Sequence, residues 1–548
     1  FRFAIDFGTT NTHIEYSVDG STSSNPFDIT EKDMQIQKLH ITDDYMINDV
    51  FNSDFIPATI GGESLYGYPM RTVISESNNT NWDKAVLAMA NVNIPYTYEK
   101  SLSLPYNVLH TDLKWSTNTE DKKRASKYIE SILLMLRTKV LLNNGDLSKT
   151  EIVWFYPASM TQNRFNKFKA EWENTFATLF GAPISNIIAA SESVAPYYYH
   201  KAKKGATSTV VSVDIGGGTT DVLIVDKGEP KYLTSFRFAA NTIFGDGYSY
   251  DSDSNGFVNK YKDIITNQLE TNNLRGLKAV LKSVLDKRVS TDVIAFLFSL
   301  ASNKEIKKEK VEINFAKMLA DDNRGKYVVI LFYVAIVYHI AKLMKAKGFD
   351  MPRHMTFSGN GSKVLNILST NDATLVRLTK IIFEEIYAQS YSIDGLDIIR
   401  PANSKESTCK GGIILTPFQS QDYGEIKDMK TILIGTDNEK FADVHMTYND
   451  VTEADLDSVV DVIKEYIEFT FKLDKKFSFY DNFDVDRSIM NKVKDLCYRD
   501  IRTYLENGLA IKKSEIAQDG ADDNLEETLF FYPLVGIINA VVRNIYQM

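Results

Sequence analysis

Two segments far apart in the chain share one grammar, and that repetition constrains the fold more than any other feature. The first is Phe3-Ala-Ile-Asp-Phe-Gly-Thr-Thr-Asn-Thr12. The second is Val211-Ser-Val-Asp-Ile-Gly-Gly-Gly-Thr-Thr-Asp-Val222. Each is an apolar β-type run closed by an Asp, then Gly and Thr, then a second apolar run over 13–18 or 221–226. This reads as a strand, a tight turn and a returning strand. Glycine lets backbone approach a phosphate closely, and consecutive N–H groups form an anion-binding nest. Threonine hydroxyls add donors. An Asp at the strand end suits a hydrated magnesium ion or an attacking water. A glycine-rich hairpin without a ligand is the alternative for either copy taken singly. The recurrence of the pattern favours two loops gripping a nucleoside triphosphate from both sides. The chain contains no G-x-x-x-x-G-K-[ST] segment and no well-placed G-x-G-x-x-G.

The chain has 548 residues, 44% of them hydrophobic, enough for several cores and more than one domain. A net charge of −10 disfavours nucleic acid as a partner bound through bulk charge. Two cysteines, Cys409 and Cys497, make neither a disulfide framework nor a metal cluster, which fits a reducing, cytoplasmic location. The first residue is Phe1 rather than Met, so the lack of a leader-like segment carries no weight. The uncharged run Tyr327–Ala341 falls short of the roughly 20 apolar residues of a spanning helix, so we expect a buried helix and no membrane span.

Pattern changes divide the sequence into 1–205, 206–417 and 418–548. In the first part, 19–54 and 75–83 are polar and irregular, the signature of an inserted subdomain or long surface loops. Helical periods run over Arg124–Arg137 and Asn163–Trp172, and Glu151–Tyr156 reads as a buried strand stopped by Pro157. In the second part, about 250–347 reads as an inserted helical subdomain, and His354–Leu365 as a strand, a glycine turn and a helix start. The last part is an acidic, helical extension with an apolar stripe at Val459, Ile463, Ile467 and Phe471 and a final apolar segment over Leu529–Val542. The expected fold class is therefore α/β: a duplicated unit, two lobes around a nucleotide cleft, inserted subdomains and a helical C-terminal extension.

These motifs resemble those of the actin, hexokinase and heat-shock-chaperone ATPases, most closely the nucleotide-binding domain of the seventy-kilodalton heat-shock chaperones. Asp6–Thr10 and Asp214–Asp221 are similar to the two phosphate loops. Ser191–His200 is similar to the first connecting helix, Ser358–Lys363 to the adenosine motif, and Tyr156–Arg164 to the chaperones' proline-alanine strand end. The resemblance implies an ATPase with ATP and Mg2+ as cofactors. Asp6 and Asp214 would hold the metal through water and, with Glu192, serve catalysis. Gly8, Thr9, Thr10, Gly216, Gly217, Gly218, Thr219 and Thr220 would bind phosphate. Gly359, Asn360, Gly361 and Lys363 would border the nucleoside, and Asp221 would hold a cation or a hinge contact. Lys114 stands where chaperones often place a phosphate-reaching lysine, but a surface lysine is the preferred reading and the phosphate role the alternative. Two further segments are weighed against solvated loops: Lys405-Glu406 with Lys410-Gly-Gly412 beside adenine, and the Gly245-Asp-Gly247 turn near the nucleotide.

The sequence departs from the chaperones in two places. No run of short alternating strands for a peptide-holding β-sandwich follows Pro417, and Gly359–Lys363 lacks the double glycine followed by Arg. Three functions follow from the resemblance. The first is a slow ATPase acting as a conformational switch on a protein partner. The second is an actin-like protein that self-assembles into filaments. The third is a small-molecule kinase, for which no acceptor motif stands out.

Overall fold

The computed structural model of the chain describes residues 1–36, 59–61, 66–77, 80–95, 107–111, 113–115, 118–157, 160, 162–204, 209–249, 251–392, 395–401, 406–415, 447–519, 525 and 527–548. The chain forms two compact units. Phe1–Gly205, Lys405–Gly424 and Gln518–Ala521 make the first; Ala206–Ser404, Glu425–Ala517 and Asp522–Met548 make the second.

The sheet of the first unit is built from β1 (Arg2–Phe7), β2 (Asn11–Ser17), β3 (Asn25–Pro26), β4 (Met70–Arg71), β5 (Glu151–Tyr156) and β6 (Ile187–Ser191). Its order is β6-β5-β1-β2-β3, with β4 also pairing β2. β1 runs antiparallel to β2 and parallel to β5, and β5 runs parallel to β6. Alternation decides which side chains cover each face. Phe7 stacks on Tyr128 of the Thr119–Leu142 helix, with ring centroids 5.3 Å apart. Trp154 of β5 stacks on Trp172 of the Gln162–Phe180 helix at 5.7 Å. On the opposite face, the Glu406–Ile414 helix lies so close that a Cβ on Gly412 would sit 3.2 Å from the Ala4 side chain. The two helices and the buried strand read from the sequence are present. The segment 75–83, expected to be irregular, is not wholly so: Ile74–Ser77 is a strand paired with Val92–Asn93 and Asn107–His110. Its polar residues tolerate burial because Glu76 binds Arg124 and His110. The expectation for 37–54 lies outside the described residues.

The sheet of the second unit contains β7 (Val210–Ile215), β8 (Thr220–Asp226), β9 (Glu229–Phe236), β10 (His354–Ser358) and β11 (Asp397–Ile399). Its order is β11-β10-β7-β8-β9. β7, β8 and β9 form an antiparallel meander, and β7, β10 and β11 are parallel. The two sheets thus share one strand order and one set of strand senses. Each is a hairpin-led meander on one side of the first strand and two parallel strands on the other.

The Lys326–Ala346 helix is apolar all round, and 94% of its most apolar window is buried inside the second unit. A helix of that kind is enclosed by protein or by lipid. Here its neighbours are protein: Tyr466 donates to Leu331 O at 2.6 Å, Tyr333 pairs with Thr379 at 2.6 Å, and Phe332 stacks on Phe238 at 5.0 Å. Tyr466 belongs to the Glu453–Phe477 helix, started by a Thr452–Asp455 capping box. The described residues from 447 on, read as an extension, therefore belong to the second unit except for 518 and 519. Val459, Ile463 and Ile467 are buried as the stripe predicts, whereas Phe471 is half-buried. The final helix, Phe531–Ile545, tolerates Pro533 in its first turn, where the N–H has no helical partner.

Candidate functional site

In each unit the three parallel strands end at one edge of the sheet. The carboxyl edge of such a sheet is where open α/β folds hold ligands, because the loops leaving it are not consumed by strand pairing. Asp6, Tyr156 and Ser191–Glu192 stand at that edge in the first unit, and Asp214 and Ser358 in the second.

In the first unit, β1 turns into β2 through Gly8, Thr9 and Thr10. Asp6 is 6% exposed, and Gly8 N–H donates to its carbonyl at 3.1 Å. Thr72, outside the motif, fixes this turn from behind. Its hydroxyl donates to Gly8 O at 2.7 Å and its N–H to Thr10 O at 2.9 Å. Tyr128 donates to Thr12, which pairs with Thr72, both at 2.9 Å. Burial pushes the Tyr128 hydroxyl up, so it stays a donor. Thr9 accepts a hydrogen bond from Trp115 Nε1 at 2.9 Å. The neighbouring residue, Lys114, is buried and forms an ion pair with Glu192. Glu192 lies between β6 and the Val194–Lys204 helix, and its N–H donates to Tyr156 O at 3.0 Å. Lys114 is thus no surface lysine, and the short segment 113–115 joins Thr9 to Glu192.

In the second unit, Asp214 faces two polar groups. The register places Asp221 directly opposite it on β8 and Ser358 beside it on β10. Ser358 donates to Asp214 Oδ2 at 2.9 Å. Asp214 is 7% exposed and Asp221 1%. Two carboxylates facing each other across a strand pair repel unless a cation or donors intervene. The turn itself is short: Gly216 N–H donates to Thr219 O at 2.9 Å. The Ala240–Phe244 helix holds it, through Ala240 N–H to Gly216 O at 3.2 Å and Asn241 N–H to Gly217 O at 2.8 Å. Gly216, Gly217 and Gly218 remain half-exposed and Thr219 is buried. Thr220 faces inward: it is 0% exposed, and its hydroxyl donates to Phe238 O at 2.6 Å. That bond makes it a brace for the turn rather than a group turned outward.

The second hairpin and the Gly359–Lys363 loop meet. A Cβ on Gly359, whose φ is +79°, would lie 2.3 Å from Ile215 O, and one on Gly361 would lie 2.2 Å from Gly216 O. Only glycine permits that contact. Asn360 is half-buried and Lys363 exposed. The glycines of 411 and 412 serve packing instead: a Cβ on Gly411 would lie 1.8 Å from Ala195 O. Lys405 lies outside the described residues. The Gly245-Asp-Gly247 turn packs on the final helix, where a Cβ on Gly247 would meet Asn539 at 2.8 Å. Burial raises the Asp246 carboxyl, which accepts a hydrogen bond from Ser290.

Thr72 and Trp115, which contact the first hairpin, carried no signal in the sequence, and Ser358 was read only as the first residue of the Ser358–Lys363 motif.

No protein-family model matches the sequence, and no curated protein matches it. Among solved structures, the chain is similar to MreB5 of Spiroplasma citri bound to ADP and to the same protein bound to AMPPNP. In each case the match covers 77% of this chain and 98% of the other, at 12% identity and a TM-score of 0.33. That similarity is too loose to assign a fold or a ligand.

Proposed function

We propose that this chain is a magnesium-dependent ATP-binding and ATP-hydrolysing protein with a duplicated actin-like fold, acting as a nucleotide-driven switch on a protein partner. One observation carries the reading. Two sheets of the same order and sense each end their first strand in an Asp-x-Gly turn at the carboxyl edge. A duplicated unit with a phosphate hairpin in each copy is the architecture that two separated Asp-Gly-Thr segments call for.

ATP is bound through both hairpins: Gly8, Thr9 and Thr10 in the first unit, and the Gly216–Thr219 backbone in the second. Gly359, Asn360, Gly361 and Lys363 border the nucleoside. The carboxylates of Asp6 and Asp214 fit Mg2+, a hard cation that takes oxygen ligands and keeps several waters. Bound magnesium supplies neutralisation of the charge that develops on the phosphates. The protein's own part is positioning. Glu192, held by Lys114, and Asp214, held by Ser358, orient the attacking water, while threonine and backbone donors fix the phosphates.

Thermal melts with and without ATP and Mg2+ test the reading. Ligand at a hundred times its dissociation constant stabilises by about 2.7 kcal/mol, enough for a measurable rise in Tm. Asp214→Asn should keep that rise and lose phosphate release. An unchanged melting temperature at saturating ATP would sink the proposal. Polymer sedimenting with ATP would replace the switch by a filament.

A further inference from the structure

We infer that Trp115 is a positioning residue for the phosphate site, setting the direction in which the Thr9 hydroxyl donates. This rests on the reading of the first hairpin as a phosphate loop. The indole N–H is a donor only, whereas a threonine hydroxyl has one donor and two acceptor sites. Trp115 Nε1 donates to Thr9 Oγ1 at 2.9 Å and occupies one acceptor site. The Thr9 proton is then turned away from the indole and kept for another acceptor. A hydroxyl that accepts one hydrogen bond also donates a stronger one. An incoming phosphate oxygen is an acceptor of the kind that geometry suits.

Trp115 is itself held. The Arg164 guanidinium lies over its ring, 5.3 Å from the centroid, and Arg164 Nη2 donates to Lys114 O at 2.9 Å. Lys114 pairs with Glu192. Arg164 therefore clamps both residues of a dipeptide that touches the phosphate hairpin with one side chain and Glu192 with the next. A cavity of about 220 Å³, lined in part by Leu113, Ala125, Ile129, Arg164 and Phe168, adjoins the clamp. The contacts of Trp115 and Lys114 link Thr9 to Glu192 through one short segment.

The test compares the full chain with Trp115→Phe, Thr9→Val and the double variant. Phenylalanine keeps a six-membered ring under Arg164 and removes the N–H together with the rest of the five-membered ring. ATP binding is read by calorimetry and turnover by phosphate release, with far-UV circular dichroism checking the fold. Trp115→Phe should weaken ATP binding about three- to tenfold, the range of one neutral hydrogen bond. Adding it to Thr9→Val should cost nothing further, because the two act through one bond. If the wild-type chain binds ATP and Trp115→Phe binds it equally well, or the two losses add, the inference fails while the ATPase reading stands. If the wild-type chain does not bind ATP, that reading fails first. Should Trp115→Phe unfold, Thr9→Ser decides. Serine keeps the acceptor, so it should bind ATP within about twofold of wild type; a tenfold loss would overturn the inference.

Discussion

Both ring nitrogens of His339 are buried without a hydrogen bond, among Phe236, Phe530 and Phe531. Burial in that aromatic setting pushes the imidazole down to about 3. The sign follows from which state takes the proton. Below about 6.5 the unfolded chain protonates His339, while the folded chain resists until about 3. Stability is therefore lost as pH falls through that window, by about 1.4 kcal/mol per pH unit from this residue alone. His339→Phe should flatten the decline in Tm between pH 6.5 and 4. Parallel curves for wild type and variant would clear His339 of that role. The residue scale is also where the sequence was least legible. Asp6 and Asp214 announce themselves because a strand-end Asp before glycine is a local pattern. Trp115 does not, because it reaches Thr9 across 106 positions of chain and no local period encodes that contact. Nor does the register asymmetry at the two hairpins: Asp6 faces His13, whereas Asp214 faces Asp221.

Elements were easier to foresee where a period and a punctuating residue agree. Glu151–Tyr156 ends at Pro157, and Arg124–Arg137 lies inside a helix whose Asn118 cap accepts from Asp121 N–H at 2.8 Å. Ile74–Ser77 escaped because its strand character depends on Arg124, a residue of the Thr119–Leu142 helix, to neutralise Glu76. Hydrogen bonds from His110 and Arg124 overcome the cost of burial and hold that carboxyl down at about 2. The Glu406–Ile414 helix shows how an element's place can hang on one missing side chain. It packs against the Val194–Lys204 helix with Gly411 facing Ala195 O, where a Cβ would stand at 1.8 Å. Gly411→Ala would force the backbones apart, against a helix-propensity gain of about 1 kcal/mol. Overpacking of this kind costs about 1–3 kcal/mol or more, so the net effect is loss. Melts should show a lower Tm for Gly411→Ala; a gain would mean that the helix can shift without penalty.

At the scale of the whole molecule, the sequence indicated a duplicated unit and left the tail outside it. The likeness of the two sheets was foreshadowed because both hairpins begin Asp-x-Gly and carry a Thr pair. The tail was not, because an amphipathic stripe says that a face is buried and not what buries it. Its helices complete the second unit's core: Phe531 stacks on Phe236 at 4.1 Å and on Phe238 at 4.7 Å, and Tyr546 donates to buried Asp322 at 2.6 Å. This placement has a spectroscopic consequence. The chain has 4 tryptophans, Trp82, Trp115, Trp154 and Trp172, and all of them lie in the first unit. Tryptophan emission therefore follows the unfolding of the first unit, while far-UV circular dichroism follows helices in both. Phe531→Ala removes a ring that is 1% exposed, a change that costs about 3–5 kcal/mol. In a unit of this size that lowers the melting temperature by roughly 5–7 °C. The loss belongs to the second unit, so the dichroism transition should move down while the midpoint of tryptophan emission stays in place. Equal shifts of both signals would mean that the two units unfold as one. No shift in either would mean that the Phe531–Ile545 helix contributes little to the stability of the second unit.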